Sequence, residues 1–380
     1  MSLISVAATL MHFVIGYLLP FVVVLGVVVF VHEFGHFIVG RLCGVGVTTF
    51  SLGFGPELCG FNDRHGTRWR LAAIPLGGYV KFIGDQNAAG IPDQAALASM
   101  TSEERKQSLP SQPLWARSLI VAAGPIANFL LAIVIFSATA YLYGRPILTP
   151  RIERVEPASA AASAGFLAGD LIRKIDGQPV NSFADLQQTV SSKPGVAMVF
   201  VVERDGRDVT LTATPDLKDV QTPFGKQKIG QLGIWPSKDP ADLRVDYPSL
   251  LGAVGIGVSD TAGFIERTLG YIAQMIVGRE SASQLSGPLG IGQAVGVVAS
   301  WGLVPLVNFL AWMSLSVGLV NLFPIPLLDG GHLLFFAIEG SRGRPLSERA
   351  QELGFRFGLA FVVALMLFVT FNDILRLATS

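Results

Sequence analysis

Apolar residues in this chain gather in long unbroken runs. Phe13 to Val31 carries no charge over 19 residues, Ser118 to Gly144 none over 27, and Ser281 to Leu328 none over 48. A helix that crosses a bilayer needs about 20 apolar residues. The first two runs therefore predict one spanning helix each, and the third predicts another in its most apolar part, about 303–328. Phe357 to Asn372 is only 16 residues long and needs its flanks to span. The first run has no Lys or Arg before it and no small-residue cleavage site, so it reads as an anchor and not a removable leader. Residues 248–278 are also apolar, but Asp260, Glu266, Arg267 and Arg279 interrupt or flank them. They predict either a fifth span or a helix lying at the interface with its apolar face toward lipid.

Between the second and third runs the pattern changes to short β-type stretches separated by turns. Arg151 to Val155, Met198 to Glu203 and Val209 to Thr212 read as strands, with Arg204-Asp-Gly206 as a turn. Ala164-Gly-Phe-Leu-Ala-Gly-Asp-Leu-Ile172 followed by Ile175-Asp-Gly-Gln-Pro-Val180 resembles the signature of a bacterial PDZ domain. The resemblance implies an α+β insert over 145–237 that captures peptide ends by strand addition, or that serves as a spacer or filter. Residues 238–300 are then an amphipathic helix and linker.

Composition agrees with a membrane protein carrying a water-soluble insert. Hydrophobic residues make up 51% and charged residues 15%, against roughly 25% charged in soluble domains. The 28 basic side chains balance 28 acidic ones, which argues against nucleic acid as a partner. Cys43 and Cys59 cannot staple a chain of this size and lack Cys-x-x-Cys spacing. Basic residues cluster between the first two spans (Arg41, Arg64, Arg68, Arg70, Lys81, Arg105, Lys106, Arg117) and between the last two (Arg342, Arg344, Arg349, Arg356). The positive-inside rule puts those segments in the cytoplasm, and both termini and the long insert outside.

The candidate chemistry begins at the end of the first run with His32-Glu33-Phe34-Gly35-His36. On a helix, residues i and i+4 share a face, so both imidazoles can reach one ion, and Glu33 lies beside it. This is the H-E-x-x-H arrangement of zinc peptidases, in which the glutamate acts as general base. Ionisable groups inside a span cost about 2.5–3.5 kcal/mol each on insertion scales, so such a cluster calls for a compensating partner. A catalytic zinc takes a third protein ligand and keeps one position open. Asp329, in Asn321-Leu-Phe-Pro-Ile-Pro-Leu-Leu-Asp-Gly-Gly-His332, is the best candidate. It would also suit the N-cap of the helix that follows, and His332 is a rival ligand. His12 and His65 stand outside any motif.

Together with Gly124-Pro-Ile-Ala-Asn128, Ser286-Gly-Pro-Leu-Gly-Ile291 and the insert, these motifs resemble the site-2 protease family, and within it the bacterial regulator-of-sigma-E protease branch. The likeness runs from about residue 13 to 376 with motif order kept. It implies Zn2+ held by His32, His36 and Asp329 with Glu33 catalytic. It also implies cleavage, in the bacterial inner membrane, of single-span proteins such as anti-sigma factors already cut outside the membrane. The insert would then be periplasmic. The chain departs from familiar members in having room for one PDZ domain, and in carrying Ser316 where an Asn is expected. A non-catalytic membrane adaptor is the alternative, but it leaves Glu33 without a task. A zincin family with a downstream Glu ligand finds no matching motif.

Topology then constrains the spans. The first runs inward and carries the histidines to its inner end, and Asp329 reaches the same leaflet only if 248–278 does not cross. The fold class expected is thus a polytopic α-helical membrane protein. It comprises two spans in 1–144, a re-entrant β-sheet at about 45–84 beside the active site, the insert, and two more spans in 301–380. Thr48 to Leu52, Thr67 to Ile74 and Gly78 to Phe82 read as its strands, with turns at Gly53 to Pro56 and Pro75 to Gly78. An edge of that sheet could pair with an unwound substrate. Asn321 and Asn128 are candidates to hydrogen-bond the substrate backbone, or to pack helices.

Overall fold

The computed structural model describes Met11 and residues 14–85, 99–222, 225–278 and 286–379. Phe13 and His12 lie outside the described residues, as do Arg279 and the first residues of the third apolar run. The chain divides into two compact units, one of residues 1–137, 254–265 and 283–380, the other of 138–253 and 266–282.

Among the described residues, four helices are long and apolar enough to cross a membrane: Val14–Leu42, Leu114–Tyr143, Leu303–Asn321 and Arg349–Leu375. The first comprises a π-helical turn, Val14–Leu18, and α1, Leu19–Leu42. Its buried residues Val24, Val28, His32, Gly35, His36 and Gly40 fall at spacings of three and four, so one stripe faces protein. Val23, Val27, Phe30 and Ile38 are exposed on the remainder, a surface suited to lipid.

A β-hairpin follows, β1 Val47–Asn62 and β2 Arg68–Phe82. The expected turns at Gly53 and Pro75 do not end its strands. They are bends, with Gly53, Gly55 and Gly77 at φ of 85°, 85° and 109°. The chain therefore doubles within the sheet: Phe50 opposes both Val80 and Trp69, while Asn62 opposes Arg68. Phe50 stacks on Trp69 at 4.3 Å, and Phe37 of α1 meets both rings edge-on at 5.7 and 5.0 Å. This aromatic cluster fastens the sheet to α1. At the hairpin turn, Asp63 accepts from the amides of His65 and Thr67, from Trp69 and from Arg41 at the end of α1. Burial opposes its charge, but those donors hold its carboxyl below the ordinary value.

After a short helix, α2 Ser102–Lys106, comes α3, Leu114–Tyr143, with Pro125 inside it. Gly35 lets α1 approach closely, since a Cβ there would lie 2.4 Å from the Ala123 carbonyl oxygen of α3.

The second unit contains β3 Arg145–Leu148, β4 Ile152–Val155, α4 Ala160–Ser163, β5 Leu171–Ile175, β6 Gln178–Pro179, α5 Phe183–Ser191, β7 Met198–Arg204 and β8 Arg207–Ala213. It continues with β9 Asp216–Thr222, β10 Gly225–Gln231, β11 Ile234–Pro236 and β12 Leu243–Asp246. A four-stranded sheet of order β6-β5-β7-β8 is flanked by the β4–β11, β3–β12 and β9–β10 pairs. Ile152, Phe166, Ile172, Leu186, Met198, Phe200 and Val202 form its core. The β3–β12 pairing carries this unit past the expected boundary at 237, because Asp246 closes against Arg145. Residues 250–276 form one helix, α6 Leu250–Ile276, with Ser249 capping its N-terminus.

The stretch expected to be linker before residue 301 contains a further helix, α7 Pro288–Ser300. Asp373 accepts from the amides of Gly287 and Gly290 at its start, at 3.1 and 2.8 Å, which satisfies donors that a helix N-terminus leaves open. α8 Leu303–Asn321 ends earlier than the expected 328. Pro324 and Pro326 cannot continue a helix, and residues 322–328 form a tight irregular turn before α9 Asp329–Arg342. The last helix, α10 Glu348–Thr379, is much longer than its 16-residue charge-free core, because Arg349, Glu352 and Arg356 extend it.

Candidate metal centre

Three side chains from distant parts of the sequence converge at the inner stripe of α1. His32 Nε2 lies 3.1 Å and His36 Nε2 3.5 Å from Asp329 Oδ2, and the two imidazole nitrogens are 3.2 Å apart. Their side chains are 10%, 11% and 18% exposed. Among the described residues this is the one group of three His, Cys, Asp or Glu side chains placed to hold a metal ion. His332 is not part of it and packs against Phe355.

The surroundings orient each donor. His36 Nδ1 lies 2.9 Å from the Ile120 carbonyl oxygen of α3. A carbonyl only accepts, so Nδ1 carries the proton and the Nε2 lone pair faces inward. His32 Nδ1 contacts the Asn128 side-chain amide at 3.3 Å, and Asn128 is fully buried with its Oδ1 unpartnered. Turning that amide over, which leaves its shape unchanged, would let Oδ1 accept from Nδ1–H and give His32 the same tautomer. The Asn128 backbone carbonyl in turn accepts from Ser314 of α8 at 2.9 Å.

Gly124 of α3 makes room for the cluster. A Cβ at that position would stand 2.3 Å from His36 Nε2 and 2.9 Å from His32 Cε1. The G-P-x-A-N segment was legible as a motif, but the cradle formed by Gly124 and the role of the Ile120 carbonyl were not. The only sequence signal for them is the four-residue spacing of Ile120, Gly124 and Asn128, which places them on one helix face.

Asp329 is the first residue of α9. Gly330 and Gly331 behind it sit on the preceding turn, where a Cβ would come within 2.2 Å of the Phe323 oxygen and 2.4 Å of the Ile325 oxygen. Only glycine allows that approach, which brings the carboxylate back under the histidines. Asn321 ends α8, half-buried. The Glu33 carboxylate accepts from the Val80 amide of β2, and a Cβ at Gly78 would touch Glu33 Cγ at 3.1 Å. The strand 78–82 thus stands directly beside the H-E-x-x-H turn.

Comparison with known proteins decides the family. The description of peptidase family M50 matches residues 20–365. This chain belongs to peptidase family M50. A zinc metalloprotease by name from Agrobacterium fabrum is 47% identical over 363 residues, covering 95% of this chain and 96% of that protein. Metalloprotease MmpA of Caulobacter vibrioides is 39% identical over 388 positions, with 95% and 97% covered. The regulator of sigma-E protease of Salmonella typhimurium is 31% identical over 460 positions, with 95% and 98% covered. That last alignment is longer than the chain itself, so the Salmonella protein carries segments this M50 peptidase lacks. The PDZ domain of an SdrC-like protein from Listeria innocua resembles 24% of the chain at 21% identity, with a TM-score of 0.20 and 96% of that domain covered.

The M50 chain is thus a zinc-dependent metalloendopeptidase of the site-2 protease type. Its three converging side chains suit that ion. Two imidazole nitrogens and a carboxylate oxygen, all bearing lone pairs, approach within 3.5 Å, and Asp329 Oδ2 is buried with no hydrogen-bond partner. Mutual repulsion among such atoms is relieved by a cation between them. The donor set of two His and one carboxylate is that of catalytic zinc sites.

Proposed function

We propose that this protein is an intramembrane endopeptidase that hydrolyses peptide bonds in or near the spanning segment of single-span membrane proteins, of the anti-sigma-factor type. The observation that carries the reading is the convergence of His32, His36 and Asp329 at the buried stripe of α1, a helix whose exposed side chains Val23, Val27, Phe30 and Ile38 are apolar. A soluble polypeptide would have to cross lipid to reach such a site, whereas a bilayer segment enters from the side.

His32, His36 and Asp329 hold the zinc, with Asn128 and the Ile120 carbonyl keeping both imidazoles in the ligating tautomer. Zinc supplies a Lewis acid and brings the pKa of a water down to about 7. Glu33, steadied by the Val80 amide, takes the proton from the attacking water. The water oxygen bonds to the scissile carbonyl carbon, the C–N bond breaks, and Glu33 delivers the proton to the leaving nitrogen. A helical substrate shields its peptide bonds, so it has to be drawn out. The strand 78–82 acts as a re-entrant edge on which the unwound segment adds as a further strand. Asn321 lies at the mouth of the same turn as Asp329 and is a hydrogen-bond donor for the substrate backbone. Asn128 is engaged with His32 and serves the ligand. The zinc lies toward the cytoplasmic leaflet, where the basic segments sit. The termini and the PDZ-type unit lie in the periplasm, and the protein resides in the inner membrane.

The test is cleavage of a single-span substrate by the purified protein in lipid, with products mapped by mass. Glu33→Gln should keep its zinc and lose about 10²–10⁴-fold in rate. Cuts confined to soluble flanking sequence, or full turnover by Glu33→Gln, would overturn the reading.

A further inference from the structure

Asp329 must hold its oxygen within about 0.5 Å of the productive position, yet the contacts that seat its turn are backbone packed on Gly330 and Gly331. Those contacts set how near α9 lies, but they include no directional side-chain bond. Such a bond exists ten residues further along. Arg117, in the first turn of α3, donates through Nη2 and Nη1 to the two carboxylate oxygens of Glu339 on α9, at 2.5 and 3.1 Å. Arg117 Nε donates to the Gln112 carbonyl at 3.1 Å, and the guanidinium lies 5.0 Å from the centre of the Phe336 ring. The two side chains are 16% and 18% exposed.

Such a pair is a poor source of net stability, since withdrawing both charges from water offsets most of their attraction, and an apolar contact would hold the helices together as well. A bidentate fork adds angular definition, which an apolar contact lacks. α3 is also the helix that carries Ile120, Gly124 and Asn128, the groups that orient both histidines. We infer that Arg117 is a positioning residue: its fork on Glu339 fixes the roll of α9 against α3 and so aims the Asp329 carboxylate at the histidine pair. This rests on Asp329 being a zinc ligand. In the sequence, Arg117 is one of eight basic residues of a cytoplasmic segment; its geometry gives it a task that a mere topology signal would not need.

The experiment measures zinc transfer from the purified full chain to a chelator, together with the visible spectrum of the cobalt-substituted protein and kcat and KM on a single-span substrate. Arg117→Lys keeps the charge and removes the fork. It should release zinc about 10–100-fold faster, shift the cobalt bands and lower kcat with KM unchanged. The exchange Arg117→Glu with Glu339→Arg should recover part of each. If Arg117→Lys and Glu339→Gln lower only the melting temperature, with wild-type zinc release and cobalt spectrum, the pair is a brace and the inference fails. Asp329→Ala is the reference. Fast release by Asp329→Ala beside wild-type release by Arg117→Lys sinks only the positioning role, whereas slow release by Asp329→Ala sinks the ligand itself.

Discussion

At the residue scale, the centre depends as much on what is missing as on what is present. His32 and His36 reach one point because they are four apart on α1, and Gly124 leaves the space in which their Nε2 atoms meet. Gly124→Ala would put a methyl 2.3 Å from His36 Nε2, and the facing atom belongs to a ring already fixed by Ile120. The ring cannot swing aside without losing that bond. Zinc affinity should therefore fall by about tenfold or more, measured by competition with a chelator, while the helical signal in circular dichroism stays as in the wild type. An unchanged affinity would mean that the histidines stand elsewhere. The three converging side chains were legible in the sequence as candidate ligands, because H-E-x-x-H is local and Asp329 sits in a dense motif. Gly124 and the Ile120 carbonyl were not, because a space and a backbone oxygen leave no mark of their own in a sequence.

At the element scale, α10 is fitted to the turn that carries Asp329. Gly358 faces Pro326 so closely that a Cβ would fall 1.7 Å from the proline carbonyl oxygen, and Gly354 lies against Phe335 and Pro326. Gly358→Ala should push α10 off the turn at a cost of about 1–3 kcal/mol, as overpacking does. Thermal unfolding in detergent micelles reads this as a lower midpoint, and an unaltered midpoint would show that the two elements are not packed as described. The four long helices were foreseeable from unbroken apolar runs, but their ends were not. α8 stops at Asn321 because of prolines, and α10 begins among Arg349, Glu352 and Arg356, which lie exposed on its own surface. α7 escaped notice because Ser286 to Ser300 reads as one more part of a long apolar stretch, and what closes its N-terminus, Asp373, is 83 residues beyond Gly290. The bends at Gly53 and Gly77 likewise looked like turns, since a glycine at positive φ serves either purpose.

For the whole molecule, the proposed cleavage within a bilayer joins two demands that conflict in lipid. Hydrolysis needs water and charge, and a bilayer excludes both. The structure meets this by burying the charged groups in a stripe of α1 faced by α3, α9 and strand 78–82, with apolar side chains turned outward. The proposed chemistry requires that His32, His36 and Asp329 hold one zinc ion. X-ray absorption at the zinc edge of the purified protein counts its donors directly. The expected spectrum shows two imidazole nitrogens and a carboxylate oxygen at about 2.0–2.2 Å, with the carboxylate contribution lost in Asp329→Ala. Sulfur at about 2.3 Å, pointing to Cys43 or Cys59, or a spectrum indifferent to Asp329→Ala, would contradict it.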